Sequence, residues 1–329
     1  FIEINSLTSE KIDNAKHRAK SKMIIADRKS AILSRPTLPC LKDYHAVNLT
    51  AGCPLGCKYC YTQGYANNPG NGRIKFYSNS EERLAEEIRR MRRKPKKVYF
   101  STATDPFLPV AKVLDMQFRL MEMLLGNGIS ILVLTKAKIP DRFLDLFAEH
   151  RDRVEAQIGQ TTTDETVRKA IEPNTATAEE RLWNISKLIK KGVRTQLRMD
   201  PLIPRLTDTE ESLRALLHEV SARGCREVAA SFLHIRPSHR KPMSITVGSW
   251  NFEQVFRDLY TKPARLANGD AAILLPNESY RRERIGVIKR ISESLGLSAG
   301  FCGCKNPDLG LSQCHPEVME AGDQVTFDF

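Results

Sequence analysis

The chain has 329 residues, room for one large domain or two ordinary ones. Its 41% hydrophobic and 27% charged residues exclude a disordered or fibrous chain, and no apolar run approaches the ~18 residues needed to cross a bilayer. The formal net charge of +12 suits a polyanionic partner or simple solubility, and does not choose between them.

Residues 1–45 read as a polar, basic lead-in that closes on an extended stretch, "SRPTLPCL". The first residues carry no secretory signal, and eight cysteines in clustered spacings suit reduced thiols that bind metal. A cytoplasmic protein with no membrane partner is therefore expected. From residue 46 the chain alternates. Apolar runs at 46–50, 97–103, 130–135, 154–159, 194–199 and 227–233 predict buried strands. Segments of helical period lie between them, at 81–93, 113–126, 140–150, 177–191 and 209–223. Pro140 and Asp141 open one helix, and "KKG" at 190–192 closes another. Such alternation predicts a parallel sheet wrapped by helices. Six units are too few for a closed eightfold barrel. The expected fold is α/β, a partial (β/α)6 TIM-like barrel over residues 46–240. Residues 241–329 break the rhythm and are expected as a C-terminal, cysteine-containing appendage.

The stretch "CPLGCKYC" (53–60) follows the first strand run and spaces Cys53, Cys57 and Cys60 as C-x3-C-x2-C. In parallel barrels the site lies at this C-terminal face. A structural zinc prefers four protein ligands. A cubane [4Fe-4S] cluster can be held by three thiolates, which leaves one iron open to chelate the amino and carboxylate groups of a small molecule. A zinc knuckle completed by a distant cysteine or histidine is the alternative.

Thr104 and Asp105 end the second strand run and Lys136 ends the third. A carboxylate and an ammonium at that rim suit a zwitterionic amino acid group. The plainer readings are a turn before Pro106 and a solvated loop charge. Arg198 lies on the fifth strand, where alternation aims it into the barrel. It needs an anion there, either from cofactor or substrate or from a structural pair with Asp200 or Glu227. Glu172 reads as an exposed loop acid before the next helix, with a contact to substrate as the alternative. His234, Arg236, His239 and Arg240 line an expected substrate mouth, with Arg73, Lys75, Arg205 and Lys241 on the same face. The run "RRMRRKPKK" (89–97) closes a helix and falls at the opposite face, as a solvated helix end.

In the tail, "FCGCKNPDLGLSQCHP" (301–316) spaces Cys302, Cys304 and Cys314 as C-x-C-x9-C, with His315 next. Thiolates favour zinc or iron–sulfur. A second [4Fe-4S] cluster is the reading taken, with zinc as the alternative. Cys40, Cys225, His315 or substrate would complete it; otherwise Cys40 and Cys225 read as ordinary buried thiols.

Taken in order, "CPLGCKYCYTQ", "STATDP" (101–106), "LTKA" (134–137), "IEPNTATAEERL" (171–182), "DPLIP" (200–204) and "SFLHIR" (231–236) resemble the spore photoproduct lyase-like branch of the radical S-adenosylmethionine (SAM) superfamily. The resemblance covers roughly residues 30–240. It implies a reduced [4Fe-4S] cluster on Cys53, Cys57 and Cys60 that cleaves SAM to methionine and a 5′-deoxyadenosyl radical, which removes hydrogen from a substrate. It implies Tyr59 beside the adenine, Thr104, Asp105 and Lys136 in the SAM pocket, and Gln157 at a position where the lyases carry serine. Arg198 joins this cofactor set. A reductant such as flavodoxin or ferredoxin is the implied partner. True spore photoproduct lyase has a hydrogen-donor cysteine in the segment matching "STATDP", and Thr102 stands there instead. A hydroxyl O–H bond is too strong for that task. The expected substrate is therefore a small molecule such as a nucleoside or nucleotide. The alternatives are a radical lyase or repair enzyme on DNA or RNA, and a non-enzymatic iron–sulfur or zinc module that binds nucleic acid.

Overall fold

The computed structural model describes residues 22–37, 39–70, 72–100, 102–236, 243–266 and 272–311. Cys314, His315, His239, Arg240 and Lys241 lie outside the described residues. The chain begins with β1 (Lys22–Ala26), β2 (His45–Val47), β3 (Thr50–Ala51) and β4 (Arg73–Tyr77). Then come α1 (Ser80–Arg90), β5 (Lys97–Phe100), α2 (Ala111–Gly126), β6 (Ser130–Thr135), α3 (Asp141–Glu149) and β7 (Val154–Gly159). They are followed by α4 (Glu165–Ile171), α5 (Ala178–Lys190), β8 (Arg194–Leu202), α6 (Glu210–Ala222) and β9 (Glu227–Phe232). The tail adds a short pair, β10 (Thr246–Val247) and β11 (Trp250–Asn251), then α7 (Phe252–Leu259). A second pair, β12 (Pro263–Ala264) and β13 (Ile273–Leu274), leads to α8 (Glu278–Ser294) and β14 (Ser298–Phe301).

Seven strands form one parallel sheet in the order β14-β9-β8-β7-β6-β5-β2. Its edges, β2 and β14, do not pair with each other, so the barrel is open. The six expected strands are present, except that the first run, 46–50, is split into β2 and β3, of which only β2 joins this sheet. The seventh strand is a difference from the sequence reading: β14 comes from the stretch read as an appendage and pairs with β9 from Ser298↔Glu227 to Phe301↔Ala230. Its four residues, "SAGF", are too few and too small to print a strand pattern. Beside the barrel, β1, β4 and β3 make a small sheet.

Alternation along the strands separates two interiors. Val98, Phe100, Ile131, Val133, Ala156, Ile158, Leu197 and Met199 point outward and share one core with the helices, through residues such as Leu120, Leu124, Phe143, Ile185 and Leu216. The opposite parity points into the barrel and is largely polar. Lys97 pairs with Glu155 at 2.5 Å, Gln157 donates to Gln196 at 2.6 Å, and Arg194 pairs with Glu227 at 3.0 Å. A buried charge such as that of Lys97 persists only when paired in this way. Lys97 ends the basic run, and it lies at the start of β5, away from the strands' C-terminal ends. Above this ladder, Leu41 from the lead-in packs on inward-facing Tyr99 and Leu132. The lead-in thus reaches into the mouth of the barrel.

Candidate active site

The cysteine loop follows β3 at the C-terminal end of the sheet. Its turn depends on Gly52 (φ +80°) and Gly56 (φ +69°), both in the left-handed region that favours glycine. A Cβ at Gly52 would also lie 2.6 Å from the Arg73 carbonyl oxygen. Residues 171–176 clamp the loop. Lys58 N–H donates to Ile171 O (2.9 Å), Asn174 N–H to Leu55 O (3.2 Å) and Asn174 Nδ2 to Pro54 O (3.0 Å). The same segment ties down the end of β6, where Ala176 N–H donates to Lys136 O at 2.9 Å.

Glu172 corrects the sequence reading: it is 1% exposed, not a loop acid in solvent. It accepts a hydrogen bond from the Tyr59 hydroxyl and pairs with Arg181, itself 1% exposed, at 2.5 Å. Burial pushes its carboxyl up, but Arg181 and Lys136 outweigh burial and hold it below the usual range. The Tyr59 ring is fixed by this pair, and the Lys136 ammonium lies 5.8 Å from its centroid. Lys136 has room because residue 159 is glycine, where a Cβ would sit 2.9 Å from Nζ.

Cys53, Cys57 and Cys60 open onto a cavity of about 630 Å³. Tyr59, Thr104, Asp105, Lys136 and Arg198 line it too, so the barrel gathers these predicted residues at one mouth. Gln157 is set apart. It is fully buried, bonded to Gln196, and belongs to the ladder below. The Asp105 carboxylate knits two strand ends together, accepting from Thr135 Oγ1 (2.8 Å), Lys136 N–H (2.8 Å) and Phe107 N–H (2.9 Å). Burial still raises its pKa against those bonds. Arg198 takes the structural partner, Asp200, at 2.9 Å.

Asp200 is a hub. Its carboxylate also accepts from Lys305 at 2.8 and 3.0 Å, and its carbonyl accepts from Lys136 Nζ at 3.1 Å. Burial would raise the Asp200 carboxyl, but Lys305 and then Arg198 hold it well below the ordinary range. Lys305 follows Cys304, so this pair pins the tail loop over the barrel mouth. Cys302 lines the cavity, as does Cys40 from the lead-in.

Sequence reasoning missed Asn48, Tyr61 and Lys305, and gave Asp200 only as a structural partner for Arg198. Asn48 Nδ2 donates to Thr102 Oγ1 at 2.6 Å, and the Tyr61 hydroxyl donates to Thr102 O at 2.6 Å. Tyr61 directly follows Cys60, and that adjacency was the available signal. His234 lies 6.3 Å from Tyr61, ring to ring, and lines the cavity with Arg236. Arg205 instead pairs outward with Asp258 at 2.6 Å. A shallower groove of about 750 Å³ runs along α5, α6 and α8 and carries no cysteine.

The donor set fits an iron–sulfur cluster. Burial pushes the Cys53 thiol up to about 12 and the Cys57 thiol well above its ordinary value. Such thiols become thiolates only when a cationic group binds them. Together, an open parallel barrel and a three-cysteine loop at its C-terminal mouth define a barrel enzyme built around a cluster. The Radical SAM superfamily matches residues 47–220, over half of the chain, and the chain belongs to that superfamily. An uncharacterized protein of Mycobacterium tuberculosis is 28% identical over 221 residues, which span 64% of this chain and 65% of that protein. The Radical SAM Nalpha-GlyT isomerase of a Pseudomonas phage is 24% identical over 273 residues, 80% of this chain and 54% of that one. The fold is shared with a spore photoproduct lyase variant solved with AdoMet and dinucleoside spore photoproduct. That comparison has a TM-score of 0.68 at 16% identity, covering 91% of this chain and 87% of the other.

Proposed function

We propose that this protein is a radical SAM enzyme for a small nucleoside- or nucleotide-type substrate. In this reading a second [4Fe-4S] cluster at Cys302, Cys304 and Cys314 aids electron transfer, substrate anchoring or sulfur insertion. One observation carries the proposal: the three thiols of the cysteine loop and Cys302 of the tail open onto the same cavity. Cys53, Cys57 and Cys60 would hold the first cluster. Tyr59, Thr104, Asp105, Lys136 and Arg198 would surround SAM. Bound together, cluster and SAM supply a 5′-deoxyadenosyl radical that takes a hydrogen atom from substrate.

The chain's own residues set the conditions. The clamp from Ile171 to Ala176 fixes the cysteine loop. Lys136, beside Tyr59, offers an ammonium to a carboxylate. Thr102 offers only an O–H at the mouth, so a substrate radical has no thiol donor at that position. A protein of the same fold was solved with a dinucleoside, which supports a nucleoside-like substrate. Polymeric nucleic acid is the second reading, with which the +12 charge is compatible. Flavodoxin or ferredoxin would deliver the electron. Among the described residues no helix is long and apolar enough to cross a membrane.

The test is anaerobic turnover in deuterated buffer with two panels, free nucleosides and nucleotides, and oligonucleotides. Stimulated 5′-deoxyadenosine release by a member of the first panel supports the proposal. Stimulation by oligonucleotides alone favours the second reading.

A further inference from the structure

We propose that Cys40 is a ligand of the tail cluster, held with Cys302 and Cys304 inside the barrel mouth. The inference rests on the second-cluster reading above and adds a ligand from the far end of the chain. Cys40 sits on a single 3-10 turn, Pro39–Leu41. Leu41 is 3% exposed and anchors that turn to Tyr99 and Leu132, which point into the barrel. From the other side, Cys302 and Cys304 pack over Ala229, an inward residue of β9. Cys40 and Cys302 line the same cavity, and Cys304 lies near enough to Cys40 for the two thiols to interact.

Both halves of this site are fixed in place. Cys302 N–H donates to Ala230 O at 3.0 Å, and Asn306 Nδ2 donates to Cys302 O at 2.8 Å. Arg281 holds Asn306 at 3.0 Å, and Lys305 is bound to Asp200. Outer groups that orient ligands in this way are what a metal centre requires. Arg198 and Lys305 place positive charge next to the thiols, which offsets thiolate charge.

Spacing bears on the occupant. Tetrahedral zinc, with Zn–S of about 2.3 Å, draws its thiolates to within about 3.8 Å of one another. Among the described residues no three cysteine, histidine, aspartate or glutamate side chains gather closely enough for a single ion. A four-iron cluster holds its thiolates at separate corners and does not need them gathered around one ion.

The test uses the full chain carrying Cys53→Ala, Cys57→Ala and Cys60→Ala, so that only the tail cluster can form. Anaerobic reconstitution with ferrous iron and sulfide is followed by iron analysis and by electron paramagnetic resonance after reduction. About four irons per chain are expected in this background. Adding Cys40→Ala should remove at least half of them, while Cys225→Ala should remove none. Cys40→Ser, which keeps the size and offers an oxygen ligand, should shift the resonance of the iron that remains. Unchanged iron and an unchanged spectrum in both Cys40 variants would overturn the inference and leave the second cluster standing. A Cys40–Cys304 disulfide in the anaerobically purified chain would overturn it as well. No iron, or zinc alone, in the loop-deleted background would instead remove the second-cluster reading itself.

Discussion

At the scale of single residues, two side chains carry separable roles. Lys136 presents an ammonium to the cavity, with its position set by Gly159 and the Asp200 carbonyl. Lys136→Met should weaken SAM binding by roughly 1.5–3 kcal/mol, the range for a charged hydrogen bond, with iron content unchanged. Equilibrium binding of SAM to the reconstituted protein measures this, and wild-type affinity would remove Lys136 from the pocket. Glu172 does different work. It sits between Arg181 and Tyr59 at 1% exposure. Glu172→Ala leaves a buried guanidinium without its partner and should cost about 3–5 kcal/mol. Chemical denaturation of the cluster-free chain would show it, and a change under about 1 kcal/mol would mean that Arg181 finds another anion. The cysteine loop was legible because three thiols at fixed spacing have few other uses. Glu172 was not, because "IEPNTATAEERL" reads as a polar loop until the fold closes Arg181 over it. Arg198 and Asp105 were rightly aimed at the mouth, but sequence could not show how much of their hydrogen bonding goes to neighbouring strands.

At the scale of elements, the tail decides the character of the molecule. α8 packs on α6 and on β14, and β14 delivers Cys302 to the barrel mouth. One dock for α8 is the Tyr280 hydroxyl, which donates to both Asp208 oxygens at 2.9 Å. Burial raises the Asp208 carboxyl to about 6, so the folded chain holds this proton more tightly than the unfolded chain does. Its contribution to stability is therefore complete at low pH and lost as pH rises through about 6. Unfolding free energies measured from pH 4 to pH 7 should carry a fall on the order of 2 kcal/mol from this group, absent in Asp208→Asn. An identical profile in the variant would reassign that slope. The tail cysteines give a second test of the same elements. Replacing Cys302, Cys304 and Cys314 by alanine should halve the iron from about eight per chain, spare basal SAM cleavage and abolish product formation. Full product formation would reduce the tail to scaffolding. Strands β6 and β7 fall where their apolar runs placed them, and α1, α2, α3, α5 and α6 begin and end within a few residues of their predicted bounds, because long buried runs and basic–glycine stops are strong signals, whereas α4, α7 and α8 were not foreseen. The tail's structure was hidden because β14 is short and its partner β9 lies over 60 residues earlier.

At the scale of the whole molecule, an open barrel brings chain ends that are remote in sequence to one rim. The lead-in packs inside the barrel through Leu41, the tail closes over the mouth through Lys305, and Cys53, Cys57, Cys60, Cys40 and Cys302 line the cavity between them. The central claim is that the loop cysteines support reductive cleavage of SAM. The most direct measurement is 5′-deoxyadenosine formed by the anaerobically reconstituted chain with SAM and reductant, compared with the Cys53→Ala, Cys57→Ala, Cys60→Ala variant. The account predicts steady release by the native chain and none above background by the variant. Equal rates from the two proteins would contradict it.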